Sequence, residues 1–175
     1  MVTSNNARRK IVKKAILILS IVSLVMIFLV IGCGGGGGGG GGTAPPTKAV
    51  VKVSSVGPST TVLFGAQATV HLPTGVSVKT YLNSTLTATD VVVASGVSTQ
   101  AYPVLGTYNA VNGTVNVYVF KATGFPTGEF ATIDCDIATG VKPQASDFSV
   151  TDLLVSDSTG TFISGLQPSI SVSFH

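Results

Sequence analysis

Tryptophan is absent from this chain of 175 residues, cysteine and histidine occur twice each, and only 10% of positions carry a charge. Without an indole, the largest aromatic platform for stacking on a sugar ring is missing. The cysteines are Cys33 and Cys135, so the region after residue 47 holds one thiol and cannot close an internal disulfide. His71 and His175 are the whole histidine supply. His71 falls mid-strand on a solvent-facing alternation and His175 lies at the far end of the sequence, which leaves a histidine metal site or a Ser-His-Asp triad without its parts. Helical periodicity is also missing beyond residue 47, where no apolar stripe recurs at 3.6-residue spacing. Excess positive charge is missing there too: Lys48, Lys52, Lys79, Lys121 and Lys142 stand against Asp90, Glu129, Asp134, Asp136, Asp147, Asp152 and Asp157. Five cations against seven acids leave about −2, which removes the electrostatic case for nucleic acid as a partner.

What is present begins with an address. Arg8, Arg9, Lys10, Lys13 and Lys14 precede Ala15 to Ile31, a run without charge, and this is the layout of an export signal. Arg8-Arg9-Lys10-Ile11-Val12-Lys13 resembles part of a twin-arginine signal, although the strongly apolar run after it favours the general secretory route. Leu29-Val30-Ile31-Gly32-Cys33 resembles a bacterial lipobox. That resemblance implies a signal peptide over residues 1–32, cleavage before Cys33, and a lipid on the Cys33 thiol. About 17 to 25 apolar residues can instead span a bilayer as a retained helix; a cysteine at this junction favours cleavage. Gly34 follows where inner-membrane lipoproteins carry an acid, so the resemblance implies an outer membrane lipoprotein, periplasmic or surface-facing.

Residues 33–47 then form a linker. Nine consecutive glycines, Gly34 to Gly42, lose more entropy on ordering than any other residues, which predicts a disordered tether. Thr43-Ala44-Pro45-Pro46-Thr47 stiffens it toward an extended form. Glycine content alone does not make a phosphate-cradling loop, since neither the Lys-Ser/Thr pair nor the flanking strand and helix are there.

Residues 48–175 have the size of one domain. Turn signals every eight to twelve residues predict an all-β antiparallel sandwich. Ala49 to Val56 and Ala66 to Leu72 alternate, with Ala68, Val70 and Leu72 on one face and Gln67, Thr69 and His71 on the other. Val76 and Val78 begin another strand, and Val91-Val92-Val93 reads as a short buried one. Leu105 to Phe120 reads as a hairpin with Asn112-Gly113 in a type I′ turn. Val115, Val117 and Val119 face one way; Asn116, Tyr118 and Phe120 face the other. Gly124 to Gly128 is expected as a loop. Beyond it Ala131, Ile133, Cys135 and Ile137 point inward, and Thr132, Asp134 and Asp136 outward. Phe148, Val150, Leu153 and Val155 point inward around a bulge, and Ile170, Val172 and Phe174 close the domain.

The run Asn112-Gly113-Thr114-Val115, the alternating strand after it, Gly128-Glu129-Phe130-Ala131-Thr132-Ile133, Ser146-Asp147-Phe148-Ser149-Val150 and Asp157-Ser158-Thr159-Gly160 resemble the C-terminal half of a cohesin domain. This implies a nine-stranded jelly-roll sandwich related to carbohydrate-binding modules, with a dockerin-like protein or a polysaccharide as ligand.

Chemistry-bearing clusters are few. Cys135 reads as a small core residue. Asp134 and Asp136, about 7 Å apart at 3.3 Å per residue, have a glycosidase-like pairing, yet acids on an exposed strand more often keep a sheet soluble. Asp147, Asp152 and Asp157 match no calcium loop spacing. If the hairpin strand pairs with the strand after it, Asn116, Tyr118, Phe120, Thr132 and Asp134 share one open face suited to binding. The expectation is a lipid-anchored binding module without a cofactor or catalytic role, with a structural element joined through sheet edges as the alternative.

Overall fold

Strict alternation in Lys48–Val56 buries Ala49, Val51, Val53 and Ser55 while Lys48 and Lys52 stay exposed, as expected of a strand with one face on a core. The computed structural model describes residues 45–58, 60–82 and 84–175. The signal sequence, Cys33 and the glycine tract lie outside the described residues. Among the described residues there is no helix long and apolar enough to cross a membrane.

Nine strands follow: β1 Lys48–Val56, β2 Val62–His71, β3 Val76–Ser77, β4 Val92–Ala94, β5 Val104–Asn109, β6 Thr114–Pro126, β7 Gly128–Ile137, β8 Ser149–Ser156 and β9 Gln167–Phe174. Two short 3-10 turns, Gly96–Ser98 and Ala145–Asp147, are the only helical segments among the described residues. The strands form two antiparallel sheets. Sheet A runs β3-β7-β1-β9, with β4 also on β7; sheet B runs β5-β6-β2-β8. The architecture is therefore all-β and sandwich-like, with one continuous core. Val51, Ile133 and Phe130 from sheet A and Leu63, Val70, Val115 and Val117 from sheet B are fully buried.

The expected alternations are found. Ala131, Ile133, Cys135 and Ile137 are buried, as are Val115, Val117 and Val119. The bulge in β8 is a register shift opposite Gln67 and Thr69, with Asp152 at φ 54.

Three local expectations are corrected. The hairpin closes with Asn109 opposite Thr114, so its loop is Ala110 to Gly113 rather than the two-residue type I′ turn. Asn109 Oδ1 accepts the Val111 and Asn112 amides, and Gly113 alone in the loop takes positive φ, so the asparagine before the loop organises it. Gly124 to Gly128 is not a loop: β6 continues to Pro126 across a bulge, because buried Phe125 pairs with Leu63. The strand expected from Val76 is only two residues long, although Val78 stays buried.

Candidate functional site

The five residues expected on one face lie on two sheets. Asn116, Tyr118 and Phe120 are on β6 in sheet B, whereas Thr132 and Asp134 are on β7 in sheet A. The shared face is corrected by the connection between these strands. Val62 pairs with Pro126 in sheet B, and Ser55 pairs with Gly128 in sheet A. One residue, Thr127, thus separates the two sheets, and Gly128 at φ 145 turns the corner in a conformation open to glycine. Strands that change sheet at a corner cannot be hairpin partners.

On β7, Thr132 Oγ1 donates to Ser95 Oγ at 2.9 Å. Asp134 is exposed, and its amide bonds to the Val91 carbonyl. Asp136 is held by Lys48 and Glu129 by Lys52, the latter at 3.1 Å. Donating to the Asp136 carboxylate keeps the Lys48 ammonium above its ordinary pKa. The acid pair read from the sequence is therefore one carboxylate in an ion pair and one facing solvent. His71 lies on sheet B, with Nε2 3.0 Å from Thr151 Oγ1. Asp147 caps the Gln144 amide, Asp152 accepts from Thr151, and Asp157 accepts from Thr159 and Thr161. Each of those acids serves its own loop, and among the described residues no cluster of three His, Cys, Asp or Glu forms a metal cradle. Cys135 is buried, and burial, aided by Asp134 and Asp136, pushes its thiol up to about 12, which removes the thiolate at neutral pH.

The outer face of sheet B is different. Register places Leu105, Tyr118, Gln67 and Leu154 in one row across four strands. The next row in one direction is Thr107, Asn116, Thr69 and Thr151, where Thr69 Oγ1 donates to Asn116 Oδ1 at 2.9 Å. In the other direction Phe120, Gly65 and Ser156 align. Gly65 carries no side chain between its two neighbours, and an added Cβ there would come within 2.7 Å of Ser156 Oγ. The result is a trough of about 220 Å³ with Phe120, Leu105, Leu154 and Phe162 on its walls. Phe162 is 71% exposed, Leu105 51%, Phe120 46%, Leu154 45% and Tyr118 38%. No charged side chain lines it.

Sequence reading found Tyr118, Phe120 and Asn116 but missed Leu105, Leu154, Gly65 and Phe162. Leu154 was legible, since it alternates with Leu153 and Val155, both inward. Phe162 sits in a loop, where no periodicity marks it.

No protein-family model, no curated protein and no solved structure matches this chain.

Proposed function

We propose that the protein is a non-catalytic binding module, held by a lipid on Cys33 at an outer membrane or cell surface, that recognises a protein partner through the outer face of sheet B. The observation that carries this reading is the cluster of Leu105, Tyr118, Phe120, Leu154 and Phe162 around a side-chain gap at Gly65, all open to solvent. Large side chains gathered on one exposed face are the usual mark of an interaction surface. The leucines at 105 and 154, the uncharged lining and the missing tryptophan favour apolar side chains of a protein over a sugar ring as the occupant. The row of Asn116, Thr69 and Thr107 supplies a polar rim.

A cohesin-like jelly-roll arrangement is the finer form of this reading. Nine strands divided between a five-stranded and a four-stranded sheet support it, together with the corner at Thr127.

The test is binding of the chain and of Tyr118→Ala to cell-envelope proteins and to a glycan array. Loss of protein binding with an unchanged unfolding transition supports the proposal, and glycan binding lost in the same variant moves the ligand class to polysaccharide. Full binding by Tyr118→Ala, or hydrolysis of a sugar polymer abolished by Asp134→Asn, overturns it.

A further inference from the structure

Sheet edges are sites of unwanted pairing, and this fold covers most of its own. The outer edge of β5 is occupied by residues 85–87, through bonds from the Thr87 amide to the Gly106 carbonyl and from the Tyr108 amide to the Thr85 carbonyl. The second edge of β7 is taken by β3 and β4. On β8 the bulge at Asp152 breaks the line, and the Ile163 amide bonds to the Val155 carbonyl.

β9 has neither a bulge nor a hydrogen-bonded strap, although Pro168 lies within it and the 3-10 turn Ala145–Asp147 packs near it. It pairs with β1 on one side only, in a register without a shift. Its sequence, Gln-Pro-Ser-Ile-Ser-Val-Ser-Phe, carries no charge. Among the described residues, no backbone group of Gln167 to Phe174 bonds to anything beyond β1.

The direction of its backbone groups follows from one pair. Lys48 and His175 exchange both amide-to-carbonyl bonds, each at 3.0 Å, so theirs is a hydrogen-bonded pair, and such pairs alternate along an antiparallel ladder. Ser173, Ser171 and Ser169 therefore face β1, while Phe174, Val172 and Ile170 turn their N–H and C=O groups to the open edge. Pro168 falls on that outward parity too, where its missing N–H costs no ladder bond. The side chains of Ile170, Val172 and Phe174 point toward the core yet stay only half-buried.

We infer that β9 is a homotypic docking edge, pairing antiparallel with β9 of a second copy about a two-fold axis through Val172. That register sets Val172 against Val172 of the other copy and Ile170 against Phe174, and uses every outward amide of the three in about six hydrogen bonds. It also places the larger Phe174 beside the smaller Ile170 and covers the half-buried seam. A second copy fits this edge because an uncharged strand meets no like charge in its own image, and because a two-fold axis satisfies both partners with one sequence. Sheet A then runs unbroken through two molecules, leaving both sheet B troughs free.

The register is directly readable by cross-linking. Ser171 lies opposite Ser173 of the second copy in a pair that is not hydrogen-bonded, close enough for a disulfide. Full-length chains carrying Ser171→Cys and differently tagged chains carrying Ser173→Cys are expressed together and oxidised in their own membrane. The inference expects a mixed-tag disulfide dimer in the combined sample and none above the background of the unsubstituted chain when either variant is alone. Val172→Pro in both chains removes outward N–H groups without touching the β1 ladder, and abolishes the cross-link. No mixed dimer, or equal cross-linking by each variant alone, overturns the inference. A Ser169→Cys and Ser171→Cys combination gives an independent check: it stays unlinked in this register, and a dimer there instead of at 171 and 173 contradicts the proposed axis.

Discussion

The two outer faces of this sandwich are built from strands with the same inward-outward alternation, yet they differ in chemistry. Sheet A shows Lys48 held to Asp136 and Lys52 to Glu129, with the serines of β9 alongside. Its two lysines are held in ion pairs, Asp134 faces solvent, and Val93 is exposed beside Thr132. Sheet B shows two leucines, Tyr118 and two phenylalanines around a gap that no charged side chain lines. Solubility and core formation require nothing of the kind. A sheet needs only one apolar face, so a second apolar patch on the solvent side has to be explained by what it meets.

Removing what the two sheets share has the largest expected effect. Phe130 is fully buried between them, and Phe130→Ala costs about 3 to 5 kcal/mol of stability by lost transfer energy and cavity formation, read as a fall in the denaturant midpoint. Truncating the distinctive face separates stability from binding: Phe120→Ala lowers partner affinity by about 2 kcal/mol, as for an aromatic hot spot, while the midpoint stays nearly constant. Gly65→Ala sharpens the same point, because it fills the floor of the trough and forces Ser156 to rotate; binding falls without loss of any contact residue.

Smaller effects test the groups assigned no ligand role. The buried Cys135 thiol, pushed up to about 12, resists alkylation in the folded chain and is labelled once denaturant opens the core. At Asp157, the Thr159 hydroxyl and then the Thr159 amide, with the Thr161 and Gly160 amides, hold the carboxyl below the usual range. A lowered folded value means that this stabilisation is present at neutral pH and is lost as pH falls through the carboxylate range. The protection of the Thr159 and Thr161 amides, corrected for the pH dependence of intrinsic exchange, therefore falls as pH is lowered through the carboxylate range, while the rest of the fold stays protected for longer. On sheet A, Lys48→Ala leaves partner binding unchanged, since the pair it forms with Asp136 is a solvated surface contact.

Much of this was legible in the sequence, for a reason of geometry. A period of two reports which face a side chain takes, so the inward set at Val115, Val117, Val119, Ile133 and Cys135 was readable without knowing any strand's neighbour. Pairing was not readable that way. β6 and β7 are separated by Thr127 alone, and a short connection between alternating strands looks like a hairpin; only the backbone turn at Gly128 sends the chain to the other sheet. That single corner divided Thr132 and Asp134 from Tyr118 and Phe120, and it brought Leu105 and Leu154 beside the aromatics instead. The Asn-Gly signal located the β5-β6 loop but not its length, because the Asn109 side chain supplies bonds that a two-residue turn would draw from the backbone.

The most direct test of the central claim places a photo-reactive amino acid at one position per face in the full-length protein on living cells: Leu105 on sheet B, Lys52 on sheet A. Irradiation is expected to give a discrete adduct with a partner protein from position 105 and none from position 52. An adduct from position 52 alone, or the same products from both positions, would contradict the assignment of binding to the sheet B face.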